Sequence, residues 1–326
     1  MDRMLLSIII PTYINEERSP DRLLLTIKGY MEQSTKVGYE IIVVDDGSEI
    51  DVKALLSIYK LDNLRVVRKE NAGLASSLNM GVNFARAQYV LLGIDDNVPA
   101  RDVVERVLNK LEDNNAKDML IGNEYNLSCA FDLKHIIDPE LENKMDFEEY
   151  KKKFPMVSQK FPCITEEDIK YRMNELFSFA KPTGNYIQFE NFLRDPTKKE
   201  YQWICWRPGI VVINKDMYKQ IGGYDEAFDP SNWYSDIEFG YRAQKNEMNL
   251  IYDSELRFLH LNHPKFFTDG SEEVRCYKYM VWKHKDIKIA TIPFLWSANK
   301  FDKFSEMNDR LDELFVCYLK ENYHEC

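Results

Sequence analysis

The chain has 326 residues, 44% of them hydrophobic and 13% aromatic, which is enough for a sizeable core in one large domain or two small ones. A formal net charge of −11 makes it a poor candidate for general DNA or RNA binding, which needs clustered Lys and Arg, and argues against stable docking on anionic lipid. The six cysteines (Cys129, Cys163, Cys205, Cys276, Cys317, Cys326) form no CxxC pair, so they read as ordinary thiols in a reducing compartment.

The apolar run Leu5–Ile10 is far short of the roughly 20 residues of a membrane span. It stops at Pro11 without a small-residue cleavage site and reads as a strand, not a signal peptide. Helical spacing follows over Pro20–Gln33. A second buried strand is expected over Glu40–Val44, a helix over Val52–Tyr59 and a third strand over Leu64–Arg68. A helix over Leu74–Arg86, opened by Asn71-Ala72-Gly73, leads to a fourth strand over Tyr89–Ile94. This alternation means parallel strands with crossover helices, whose carboxyl-end loops bind ligands. A helix over Arg101–Asp113 and a strand over Met119–Gly122 come next. From Glu124 to Tyr201 the chain is charged, aromatic and irregular. Order resumes with a strand over Gly209–Asn214, helices over Lys215–Ile221 and Ser235–Asn246, and strands over Leu250–Tyr252 and Leu256–Leu261. The last stretch, 271–326, reads as mostly helical.

Four places carry chemistry. Asp95-Asp96, adjacent carboxylates at a strand end, suit Mg²⁺ or Mn²⁺ that shares its remaining sites with phosphate; an acidic turn is the plainer reading. Asp45-Asp46-Gly47-Ser48 ends another strand, where an Asp can accept from a nucleobase N–H or a ribose hydroxyl, or simply shape a turn. Asp236 stands near a helix start, as a general base or as a cap, with Glu238 and Arg242 spaced for an i,i+4 ion pair. Two of the five histidines, His260 and His263, follow an apolar strand. Their odd spacing turns one inward, as a metal ligand or as a structural core residue.

In this order the signals resemble the family 2 glycosyltransferases with the GT-A fold. The resemblance runs through Ser7–Tyr13, Val43–Ser48, Asn71–Leu74 with Asn79-Met80-Gly81, Asp95–Asn97, Gly222–Asp225 and Ser235–Arg242. It implies an α/β fold: a Rossmann-like, mostly parallel sheet flanked by helices, with an inserted acceptor-side segment and a helical C-terminal region. The implied division is a GT-A domain over 1–265 (donor half 1–123, insertion 124–204, catalytic half 205–265) and a C-terminal region over 266–326.

The implied activity is inverting transfer of a sugar from a nucleoside-diphosphate donor, expected to be a UDP-sugar, to a saccharide, lipid-linked or protein acceptor, in cell-surface polysaccharide or glycoconjugate synthesis. By the same resemblance Pro11, Thr12, Tyr13, Asp46 and Asn71 line the nucleotide site and Asp95 holds the ribose. Asp96 binds Mn²⁺ or Mg²⁺ with His260, favoured over His263 because it continues the strand directly, and Asp236 is the base. The expected location is cytoplasmic, with room for peripheral association at the inner membrane face. The chain departs from the family pattern in four ways. The metal motif is Asp95-Asp96-Asn97, which leaves Asn97 as the alternative ligand to Asp96, Ser235 stands where an acidic neighbour of the base is usual, and Ile14 stands where Asn is common. Ala75–Asn79 lacks an Arg that many relatives carry, so the diphosphate needs metal or another cation. A non-catalytic sugar- or nucleotide-binding homologue and a nucleotidyltransferase are the competing readings; the second would want a basic, Gly-rich loop near Thr12. A dehydrogenase is disfavoured because no GxGxxG follows the first strand.

Overall fold

A computed structural model describes residues 4–16, 18–36, 38–111, 115–127, 164–182, 190–261 and 270–292. His263, the stretch 293–326 and much of the 124–204 insertion, including Tyr150, Phe154, Phe161, Tyr186 and Phe189, lie outside them.

The donor half alternates as expected: β1 (Leu6–Thr12), α1 (Asp21–Met31), β2 (Tyr39–Asp45), α2 (Val52–Leu56), β3 (Leu64–Arg68), α3 (Leu74–Phe84) and β4 (Tyr89–Leu92). Every residue of β1, β2 and β4 is buried, as a sheet covered on both faces requires. Then come β5 (Asn97–Pro99), α4 (Val103–Leu111) and β6 (Asp118–Leu127). Two short helices, α5 (Glu166–Tyr171) and α6 (Met173–Phe179), lie in the insertion, followed by β7 (Lys181–Pro182) and a 3₁₀ segment over Pro196–Cys205. The second half holds β8 (Val211–Asn214), α7 (Lys215–Ile221), α8 (Ser235–Lys245), β9 (Asn249–Leu261), α9 (Ser271–His284) and α10 (Ile287–Ala290).

One sheet runs in the order β3-β2-β1-β4-β8-β6-β9-β5, with β7 beside β6. The pairs among β1 to β4 are parallel, whereas β8 is antiparallel to both β4 and β6, and β5 to β9. Beyond β4 the sheet is therefore mixed rather than mostly parallel. Strands β4 and β5 are joined only by residues 93–96, yet β8, β6 and β9 lie between them. A flat sheet would set them about 19 Å apart, and five residue steps reach at most about 17 Å. The sheet must curl.

The two strands expected over Leu250–Tyr252 and Leu256–Leu261 are one. Strand β9 pairs with β6 from Asp118↔Asn249 to Ile121↔Tyr252, then resumes at Asn123↔Arg257. The polar residues Asp253-Ser254-Glu255 bulge out where the register shifts, which is why they read as a break in the sequence.

Helix α9 is fastened to the second half of the sheet domain by a buried carboxylate. Glu238, fully enclosed on α8, accepts from Arg242 Nε and Nη2 at 2.8 Å each and from Lys283 Nζ at 2.7 Å, and His284 Nε2 lies 2.8 Å away. Lys283 also reaches Asp225 at 2.7 Å, and Arg242 donates to the carbonyls of Ile221 and Gly223. The expected Glu238–Arg242 ion pair is thus the centre of a network joining α8, the 221–225 turn and α9. Burial opposes ionisation of Glu238, but His284, Arg242 and Lys283 together bring its pKa from the usual 4.5 down to about 2. Stability linked to this group is full above about pH 5 and is lost as the pH falls toward 2, an effect of about 3 kcal/mol. Glu238→Ala should cost about 3–5 kcal/mol, because it leaves buried cations unpaired. Urea denaturation at pH 7 and pH 3 checks both: the substitution penalty should shrink in acid, and an equal penalty at both values would contradict the pairing.

Candidate functional site

Asp95 and Asp96 occupy the short β4–β5 connection at the carboxyl edge of the parallel strands. Thr12 Oγ1, at the end of β1, donates to Asp95 Oδ2 at 2.7 Å, and Thr26 Oγ1 on α1 donates to the Asp95 carbonyl at 3.0 Å. Burial raises the Asp95 pKa above the usual carboxylate range; the positive charge of Arg22 opposes this and the neighbouring Asp96 adds to it.

Asp96 is buried, and its Oδ2 lies 3.6 Å from His260 Nε2. Strand register makes this meeting. Asn97 on β5 sits opposite His260 on β9, and His260 sits opposite Asn126 on β6. Asn126 Oδ1 is 2.9 Å from His260 Nδ1. An amide oxygen only accepts, so Nδ1 donates to Asn126 and Nε2 is the ring atom turned toward Asp96. Two residues earlier on the same face of β6, Glu124 accepts from Asn97 Nδ2 at 3.2 Å. A carboxylate oxygen and an imidazole nitrogen facing one point could hold a divalent cation, with nitrogen suiting Mn²⁺ better than Mg²⁺. Among the described residues no group of three or more His, Cys, Asp or Glu is placed to hold a metal ion.

The amino end of α3 is closed by two carboxylates. Asp46 accepts from the backbone N–H of Ala72 at 3.0 Å and of Gly73 at 2.9 Å, and pairs with Lys69. Asp229 accepts from the N–H of Ala75 at 3.0 Å and of Ser76 at 2.9 Å. Both satisfy donors that a helix start leaves open, and both complement its dipole. Gly73, at φ 116, is the only residue type that fits: a Cβ there would run into the Asp229 carboxylate. The structure therefore gives Asp46 a loop-holding role besides any nucleotide contact. Asn71 is exposed at the rim of the same loop, Pro11 and Thr12 are buried, and Tyr13 is half-buried beneath the Arg18 guanidinium, 5.6 Å from its ring centre.

Asp236 lies in the first turn of α8, one residue past its first helical position, so Tyr234 and not Asp236 occupies the cap. Its Oδ1 accepts from the Ile237 N–H at 2.9 Å and its Oδ2 from Arg207 Nη1 at 3.1 Å. Arg207 belongs to the loop entering β8. Two residues on, Gly209 donates to the Leu92 carbonyl, and a Cβ on it would come within 2.5 Å of Asn97 Nδ2. This loop thus connects Asp236 to the Asp96–Asn97 segment.

Residues 7–165 match the model described as glycosyl transferase family 2. Residues 7–165 are a family 2 glycosyltransferase domain. Among curated relatives, glycosyltransferase GlyG of Streptococcus pneumoniae serotype 4 is 29% identical over 125 residues, 37% of this chain and 40% of that protein. Chondroitin synthase of Pasteurella multocida is 28% identical over 251 residues, 73% of this chain but 22% of that one. The chain thus spans less than half the length of these relatives. The solved structure of TarS 1–349 from S. aureus in complex with UDP-GlcNAc superposes with a TM-score of 0.56 at 12% identity, over 86% of this chain and 66% of that one. The fold is GT-A.

Around the family 2 domain several residues escaped the sequence reading. Asp229 and Arg207 sit in irregular loops, and their partners are 153 and 29 residues away. The Glu124, Asn126 pair had a visible signal, two polar side chains at strand spacing, but the expected strand stopped at Gly122. In the insertion, Phe177 meets Tyr125 edge-on at 5.5 Å, so this aromatic covers the sheet, while Tyr171 is exposed. Asp229→Ala should cost about 1–2 kcal/mol by uncapping α3, against a few tenths for the exposed Asp62→Ala. Urea denaturation measures both; equal penalties would mean that the cap contributes nothing.

Proposed function

We propose that this chain transfers a sugar from a nucleoside-diphosphate sugar, UDP-linked in the first instance, to an acceptor hydroxyl with inversion at the anomeric carbon. The reading rests above all on the approach of His260 to Asp96, a donor pair assembled by three strands beside Thr12 and Asp95 at the carboxyl edge of the sheet. The TarS complexes with UDP-GlcNAc and with UDP support a UDP-sugar as the first donor to try. Synthesis of a cell-surface polysaccharide or glycoconjugate is the expected setting, in line with the chondroitin synthase relative.

In this reading Thr12, Tyr13, Asp46 and Asn71 border the base and Asp95 takes a ribose hydroxyl. Asp96 and His260 would hold Mn²⁺ or Mg²⁺, which would supply Lewis-acid stabilisation of the departing diphosphate. Asn126 keeps the imidazole oriented. Asp236 takes the proton of the acceptor hydroxyl as its oxygen bonds to the anomeric carbon and the bond to the nucleoside diphosphate breaks. Arg207 holds that carboxylate in place. The insertion and the loop entering β8 border the acceptor side.

Asp236→Asn keeps the shape of the side chain and removes its basicity. It should retain donor binding and lose about 10²–10⁴-fold in transfer. A UDP-release assay with calorimetry in parallel reads both, and wild-type turnover by the variant would reduce Asp236 to a structural residue.

UDP affinity should fall on adding EDTA. His260→Ala should weaken Mn²⁺-dependent binding, and Asn126→Ala should do so by about 10-fold or more by releasing the ring. Equal UDP affinity with and without chelator would remove the metal from the scheme.

A further inference from the structure

Arg22 is a buried cation that no described residue neutralises by contact. It is 7% exposed, its Nε is enclosed without a partner, and it makes no hydrogen bond or ion pair among the described residues. A guanidinium in that state is costly, because it has left water without gaining acceptors in return. Such a group persists where a ligand completes it.

Its position says which ligand. Helix α1 follows β1 and runs back along the sheet, so its first turn lies at the carboxyl edge, where the ligand crevice is. Arg22 and Thr26 are four residues apart and share one face of that helix. Thr26 binds the Asp95 carbonyl, which puts Arg22 one turn closer to the crevice on the face that looks at the Asp95–Asp96 segment. The charge of Arg22 is felt at the Asp95 carboxyl, though no hydrogen bond or ion pair joins them. Arg18 adds a second guanidinium nearby, over Tyr13.

Several other sources of positive character already hold carboxylates. The α3 amides of Ala72, Gly73, Ala75 and Ser76 serve Asp46 and Asp229, Lys69 serves Asp46, and Arg207 serves Asp236. The segment Ala75–Asn79 carries no cation.

We propose that Arg22 takes an oxyanion of the nucleotide-sugar donor, a diphosphate oxygen or a carboxylate on the transferred sugar, beside the ribose contact at Asp95. This rests on the nucleotide-sugar reading of the site. Charge-assisted bidentate contact is the strong form of such recognition, and Arg supplies it where Lys offers only a point charge.

The test is calorimetry with Mn²⁺ of uridine, UDP, UDP-glucose and UDP-glucuronate against wild type, Arg22→Met and Arg22→Lys, with the melting temperature of each ligand-free protein. Arg22→Met should bind uridine as wild type does and UDP about 10- to 100-fold more weakly, with Lys intermediate. A loss confined to UDP-glucuronate assigns the contact to a sugar carboxylate instead. The ligand-free melting temperature should hold or rise, since an uncompensated buried charge has gone. Unchanged affinity for all four ligands overturns the inference. So does an equal loss for uridine and UDP accompanied by a lower melting temperature, which would make Arg22 a structural partner of Asp95. If wild type binds none of the four, the nucleotide-sugar reading fails and this inference with it.

Discussion

Residues 93–96 join two strands that the sheet separates by three others, and this short connection dictates the shape of everything around it. The sheet has to curl until β5 returns to the end of β4. The curl brings β9 and β6, from far along the chain, beside the carboxyl edge of β1 and β4. Asp95 and Asp96 lie in the connection itself. They therefore meet both the parallel first half, through Thr12 and Thr26, and the mixed second half, through His260. A longer connection would relax the curl and part the two carboxylates from the imidazole.

Carboxylates fasten distant segments of this acidic chain at several points. Asp46 and Asp229 converge on the start of α3 from opposite sides of the sequence, and the energy comes from open helix amides that any fold must satisfy. Burial pushes the Asp229 pKa up, with Asp46 adding, while the Ser76 and Ala75 amides pull it back. Glu238 does the same for the C-terminal helices, with Arg242, Lys283 and His284 as partners, and its lowered pKa makes that pairing sensitive to acid. Both arrangements engage both oxygens of each carboxylate in holding structure.

Arg207 couples these parts. Its loop threads between the Asp95–Asn97 segment and α8, and Gly209, at φ 93, lets the backbone pass close to Asn97 where a side chain would collide. Asp236 is held by its own neighbour's amide and by Arg207, so its orientation is inherited from the loop and not from capping α8. The placement of the proposed base relative to the proposed metal pair is thus a property of one short loop with no regular secondary structure.

The sequence by itself determined the donor half. Buried β-branched runs alternating with helical spacing allow only parallel strands and crossovers, and the ligand crevice then falls at the strand ends where Asp46, Asp95 and Asp96 stand. It also determined that His260 continues its strand, because apolar residues run into it without a break. What it could not determine is partnership across the sheet. Strand register, the joining of Leu250–Tyr252 and Leu256–Leu261 across a polar bulge, and the extension of β6 to Leu127 depend on pairing between segments over 130 residues apart. The contacts of Asp229 with α3, of Arg207 with Asp236 and of Glu238 with α9 were equally hidden, at separations of 153, 29 and 45 residues, because such residue types fit any surface loop or helix face. Only the tertiary structure decided which charges are buried and which of them are satisfied, because burial belongs to the packed neighbours and not to the residue.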